Sequence, residues 1–387
     1  MFDRTDIRAA VEAGVISEDG AQRLEAFLKS RNDPDRMLDP ENLRFLSNFN
    51  DVFLTIGICV LMTGLGFLSV ISLVNLLGLP GTDPTTVEEG MAFAARLKLV
   101  VLLAPLSVVL AAWLLAEYFC GRRRLLLPSM ALSFAIVGAS ALSAAGLASL
   151  FISDYTLVSR LEADAFDPVA ILSGISYAGF AAGVVASGAI FLRFRLPFSL
   201  FLMAGSLAGL AYTALLQASG LDGLSPAAFG LVTLSVGLVT LCAAVSFDVR
   251  DAARLTRNAD HAFWLHMAAA PQIIIGVRAL VLSAGLEETS SAYAGVMLAL
   301  LFAVGLVSLA LNRRALILSG LVTFTAALWV LVNNSGWSGL NSLMLTALIV
   351  GGAIVLLGGG WRTARRLVLK GLPRRGMMDR VFPPEPV

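Results

Sequence analysis

The chain has 387 residues, of which 57% are apolar and only 14% charged, with a mean hydropathy of +0.82. A soluble globular chain usually carries about 25% charged residues, so too few charges remain here to cover a water-facing surface, and a set of soluble domains is excluded. A net charge of +1 makes no case for nucleic acid, and Cys59, Cys120 and Cys242 form no C-x-x-C pair that would suggest a disulfide framework or a zinc site.

The first fifty residues hold seven Lys/Arg and ten Asp/Glu, the reverse of the basic n-region and apolar h-region of a cleaved leader. Residues 1–48 therefore read as a small retained cytosolic module. Ile7, Ala10, Val11 and Ala13 form one helical stripe, and Gly14 is placed to end that helix. Ser17 is an N-cap for a second helix, whose face is Leu24, Phe27 and Leu28. Asp39-Pro40-Glu41 starts a lead-in helix. Such a hairpin has little core of its own, so it docks on the membrane domain, on a second copy in a homo-oligomer, or on a partner.

Charge-free runs then follow in chain order: 52–82, 99–116, 125–153, 168–192, 196–221, 223–247, 289–312 and 315–361. About 20 apolar residues cross a bilayer as a helix. The last run is long enough for two crossings, split by the polar turn Asn333-Asn334-Ser335-Gly336. With residues 261–284, which hold one arginine, the pattern predicts an all-α polytopic bundle of ten spans over residues 49–361. Continuous apolar runs without alternation argue against a β-barrel. With the N-terminus inside, 24 of the 28 basic residues fall on the cytoplasmic side, leaving Arg96, Lys98 and Arg160 outside and Arg278 within a span. The outer loops hold acids, among them Asp83, Glu88, Glu89, Glu287 and Glu288. Positive loops stay cytoplasmic, so both termini are expected inside.

Within the spans, Gly179-x3-Gly183 and Gly205-x3-Gly209, with Gly138, Ala141, Ala145 and Gly146, read as close helix packing. Glu117 lies beside Arg122–Arg124 and reads as an interfacial ion pair with them. The seventh span differs from the rest: Asp260, His261, Trp264, His266, Pro271, Gln272 and Arg278 lie on it, including both histidines of the protein. At 100° per residue Asp260, Trp264, Met267, Pro271 and Arg278 share one face, His261 and Gln272 lie on a neighbouring face, and His266 points elsewhere. Pro271 deprives the Met267 carbonyl of its helical partner, and a bent helix with a freed carbonyl is how transporters build midplane sites. On that reading the stripe lines a solute path, with Arg278 attracting an anionic group. The alternative is structural: Asp260, His261 and Trp264 sit at the interface, and Arg278 snorkels outward to pair with Glu287 or Glu288.

Residues 362–387 read as a basic juxtamembrane helix and a Pro-rich tail, its arginines pinned to anionic lipid headgroups. No H-E-x-x-H, P-loop or G-x-S-x-G occurs; Gly174-Ile-Ser176-Tyr-Ala178 is a near miss without a histidine partner. No enzymatic role, cofactor or metal is expected.

The phrase from Arg257 through Asp260, His266 and Pro271, the segment Asn312-Arg313-Arg314 to Gly320, and the Trp361-Arg-x-x-Arg-Arg exit resemble a segment recurring in proteobacterial inner-membrane proteins of uncharacterised function, over about residues 250–387. The Glu12-Ala-Gly14 to Ser17 hairpin resembles the short helical head of domain-of-unknown-function membrane proteins, over about thirty residues. These resemblances imply a multi-pass bacterial inner-membrane protein and bring no activity. Two functions remain open: a small-solute permease working through the seventh helix, or a non-transporting scaffold or sensor whose hairpin binds a cytosolic partner.

Overall fold

The computed structural model describes residues 49–79, 86–152, 168–219, 225–251, 256–337 and 339–370, with Val15, Ser17 and Gly20 ahead of them. The chain divides into two units, Met1–Phe45 and Leu46–Val387. Of the first, Ser17 Oγ accepts the Gly20 amide at 3.1 Å, the bond expected of an N-cap. The remainder of the expected hairpin, the lead-in helix and the Pro-rich tail lie outside the described residues.

The second unit is all-α, with no strand among the described residues. Its helices are α1 (Phe49–Leu76), α2 (Val87–Ala116, continued by the π-turn Glu117–Arg122), α3 (Leu126–Ser149), α4 (Pro168–Phe194) and α5 (Phe198–Ser219). They are followed by α6 (Pro226–Arg250), α7 (Arg257–Ser283), α8 (Ser291–Leu311), α9 (Ala315–Asn334) and α10 (Leu340–Lys370). Among the described residues nine helices are long and apolar enough to cross a membrane, with Gly320–Asn334 of α9 a shorter apolar stretch. The basic residues after Trp361 are helical through Lys370, continuous with α10.

Helix starts follow local chemistry. Thr86 accepts from Glu89 N, Ser225 from Ala228 N, Thr256 from Asn258 N and Ser290 from Tyr293 N. Each supplies an acceptor to an amide that has no partner within its own helix. The short corners after α2, α4 and α8 each turn on a left-handed residue, Arg124, Arg195 and Asn312, with φ of 54, 54 and 55°.

In the first half of the bundle α2, α3, α4 and α5 pack in sequence, and α1 lies on α2 and α3. Their core includes the fully buried Ala112, Leu132, Ile136 and Ile190. In the second half α6 pairs with α7, α9 lies against α7 and α8, and α10 covers α8 and α9. Helix α5 joins the halves through α6 and α7.

The α6–α7 pair is drawn to backbone contact. A Cβ on Gly276 would lie 2.6 Å from Leu234 N, and one on Gly230 would lie 2.9 Å from the Gly276 carbonyl. Among the small residues expected at interfaces, Gly146 meets the α2 backbone and Gly179 and Gly183 face α3 and α5, whereas Gly138 and Gly205 have open space where a Cβ would stand.

Charges are sorted by end. The ends of α2, α4, α6 and α8, with the starts of their successors, gather the arginines 122–124, 193, 195, 250, 257, 313 and 314. At the opposite end, Arg96 donates to the Gly78 carbonyl at 3.0 Å and Lys98 to the Ile152 carbonyl at 2.5 Å. These two cations sit away from the basic corners because they satisfy carbonyls at the ends of α1 and α3.

Candidate functional site

Helix α7 carries all seven side chains singled out in the sequence. Its start is fixed twice: Thr256 caps Asn258, and Asp251 accepts from both Thr256 N and Thr256 Oγ1, at 2.9 and 2.6 Å. Asp260 is exposed in the first turn. His261 is buried between the rings of Phe191 and Phe247, both at 5.4 Å and edge-on, with neither ring nitrogen hydrogen-bonded among the described residues. Trp264 lies edge-on to Phe198 of α5 at 4.8 Å and to Phe263 at 5.2 Å. Pro271 lies inside a helix that continues through it, and Gln272 Oε1 is buried without a hydrogen-bond partner among the described residues.

Arg278 does not look inward. Its Nη2 donates to Glu288 Oε1 at 2.5 Å and its Nε to Tyr293 Oη at 3.1 Å, with side chains of the ion pair 44% and 52% exposed. This is the snorkelling arrangement, with Glu288 as the acid. The shared face is also too extended to converge, because eighteen residues of rise separate Asp260 from Arg278 by about 27 Å. The stripe is a face of a helix whose two ends are engaged separately.

The structure instead brings His266 to Asp248 and Arg313, neither of which the sequence reading treats as a site residue. His266 is fully buried, and its Nε2 lies 2.8 Å from Asp248 Oδ2 near the end of α6. Arg313, at the α8–α9 corner, points its Nε to both Asp248 oxygens at 3.1 and 3.3 Å and its Nη2 to Oδ1. Arg313 is 2% and Asp248 8% exposed. An aspartate ionised beside a guanidinium can only accept, so the His266 tautomer protonated on Nε2 donates to it. Three elements are thereby tied at one carboxylate.

The corner that delivers Arg313 is built for it. Asn312 adopts the left-handed conformation that ends α8, one of the few non-glycine residues to tolerate it. Ser308 Oγ donates to the Arg313 carbonyl at 2.5 Å, and Arg313 N donates to the Ser308 carbonyl at 2.9 Å. From α10, Trp361 Nε1 donates to Asn312 Oδ1 at 2.8 Å, while the Arg314 guanidinium stands 5.3 Å from the Trp361 ring centre. A chain of contacts therefore runs Trp361, Asn312, Arg313, Asp248, His266.

A second cross-helix ion pair corrects a sequence expectation. Glu117 is bound by Arg193 of α4, through Nε at 2.9 Å and Nη2 at 2.8 Å, and not by Arg122–Arg124. The arginines that follow the π-turn are used otherwise: Arg123 donates to Tyr118 Oη at 3.1 Å and stacks over its ring.

Sequence reasoning missed the pair because Arg313 was counted only by side of the membrane and Asp248, just past the charge-free run 223–247, was not considered at all. The available signal was Asn312, a residue suited to a left-handed helix end, immediately before an arginine: it marks a tight corner whose next side chain is turned back on the bundle. Among the described residues no group of three or more His, Cys, Asp or Glu could hold a metal ion.

A charge-poor helical bundle with capped ends and an ionic cluster inside one of them defines a multi-pass α-helical membrane protein. Comparison of the chain with protein-family models, with curated proteins and with solved structures finds no match in any of the three.

Proposed function

We propose that this chain is a small-solute permease of a bacterial inner membrane, with both termini in the cytoplasm and the basic extension of α10 resting on anionic headgroups. The observation that carries the reading is the Asp248–His266–Arg313 cluster. Ionisable groups buried in a membrane bundle are costly and mark solute paths, ion paths or gates by default. The cluster fastens α6, α7 and the α8–α9 corner at one end, so it acts as a latch on that end of a path along α7. Opening requires Arg313 to withdraw from Asp248. The orientation rests on the basic corners lying at one end, and the inner-membrane assignment on the resemblance of residues 250–387. The reading assigns no enzymatic chemistry.

The test is counterflow uptake by the full chain in liposomes, across a panel of small anions, amines, amino acids and sugars. At least one solute is expected to be taken up, at a rate changed several-fold by Asp248→Asn with insertion intact. Absence of uptake for every solute, in both proteins, sinks the permease.

A second reading has its own support. The Trp264 ring is packed by aromatic neighbours and Arg278 is held by Glu288, which leaves the α7 stripe occupied and favours a non-transporting scaffold or sensor. Its hairpin would hold a cytosolic partner, and deleting residues 1–35 would release it. An unchanged set of co-purifying proteins after that deletion counts against the scaffold.

A further inference from the structure

The bundle end that carries the latch also carries a group of arginines that neither the latch nor the fold uses up. The corner after α2 holds Arg122, Arg123 and Arg124, and the corner after α4 holds Arg193 and Arg195; all five are exposed. The two corners are neighbours. Glu117 of the π-turn is gripped by Arg193, Trp113 and Phe194 have ring centres 5.7 Å apart, and a Cβ on Gly121 would lie 3.7 Å from the Phe194 ring.

Glu117 is committed to Arg193 and Arg123 to Tyr118. No hydrogen bond or ion pair holds the side chains of Arg122, Arg124 or Arg195 among the described residues. Arg124 and Arg195 occupy left-handed positions that cost a non-glycine residue about 1 kcal/mol. At the equivalent corner after α8, that position holds Asn312, the better-suited residue. Corner geometry alone therefore gives no reason for arginine at either place; the charge does. Tyr118 and Trp113 flank the site, as aromatic residues do at headgroup depth.

We propose that the adjoining α2–α3 and α4–α5 corners form a binding site for the phosphate of an acidic phospholipid headgroup, held by Arg124 and Arg195 with Arg122 beside them. Glu117 orients Arg193 at its edge and keeps that cation off the phosphate. The shared chemistry is a phosphate ester, and its source is a lipid because the corners end membrane-spanning helices. The site is separate from the basic extension of α10.

The test titrates the purified full chain, in phosphatidylcholine nanodiscs, with phosphatidylglycerol, reading bound lipid by native mass spectrometry. Arg124→Asn and Arg195→Asn are combined, because asparagine suits the left-handed conformation and the corners should keep their fold. Each arginine near a membrane surface contributes roughly fivefold to anionic lipid affinity, so the double variant is expected to bind about 25-fold more weakly. Its melting temperature in phosphatidylcholine alone should be unchanged or slightly raised, while the extra stability conferred by phosphatidylglycerol is lost. Equal phosphatidylglycerol affinity in the two proteins overturns the proposal, the arginines then serving orientation only. Inorganic phosphate that competes fully, or reproduces the stabilisation in phosphatidylcholine discs, overturns the lipid as occupant and leaves a soluble-anion site.

Discussion

Replacing Arg313 by Met removes both guanidinium arms from Asp248 and leaves a carboxylate 8% exposed with the His266 imidazole, 2.8 Å away, as its side-chain donor. Breaking a buried ion pair from one side costs about 3–5 kcal/mol, because the surviving charge stays desolvated without compensation. Changing Asp248 to Leu in the same protein removes that charge. The residual cost is then the orphaned imidazole N–H, about 1–3 kcal/mol, so the double variant should be more stable than Arg313→Met alone. Reversible unfolding in mixed micelles, followed by tryptophan fluorescence, measures all corners of the cycle. A single variant within about 1 kcal/mol of the parent, or a double variant whose loss equals the sum of the singles, refutes the idea that the pair is buried and coupled.

Three further changes probe neighbouring parts. Gly276→Ala sets a methyl 2.6 Å from Leu234 N, a clash with backbone that should cost about 1–3 kcal/mol and weaken cysteine cross-linking between α6 and α7. Thr256→Ala removes the α7 cap and should cost about 1 kcal/mol, read in the same unfolding assay, with faster hydrogen exchange confined to the first turn of α7. Arg278→Ala breaks an ion pair whose partners are 44% and 52% exposed, so stability should change by no more than about 1 kcal/mol; a larger loss would show that the arginine has a buried role.

What could be read ahead of the structure divides by distance along the chain. The spans were legible because lipid demands uninterrupted apolar runs, and those are local. The Arg278–Glu288 pair was legible for the same reason: ten residues separate the partners, and a helix end brings them together. Asp248 and Arg313 are 65 residues apart, and Glu117 and Arg193 are 76 apart. Each side chain carries a plain positive or negative label in the sequence, and only the order in which helices pack decides which labels meet. His266 illustrates the limit well: helical periodicity separated it from the Trp264 face, but could not supply the neighbouring helix it faces. The glycines show the same division, since a G-x3-G spacing identified Gly179 and Gly183 as contacts yet gave no sign that Gly205 stands in open space.

Helix α10 spans 31 residues, about 46 Å of helix against ~30 Å of hydrocarbon. The excess is a rod projecting past the bilayer, studded with Arg362, Arg366 and Lys370. Along its other side Trp361, Arg365 and Leu369 stay buried one turn apart, and Trp361 is bonded to Asn312, one peptide unit from the arginine that grips Asp248. The extension is thus held along one side while its cations face out on the other, so one continuous helix carries both the exposed basic stripe and the Trp361 contact to the corner that delivers Arg313.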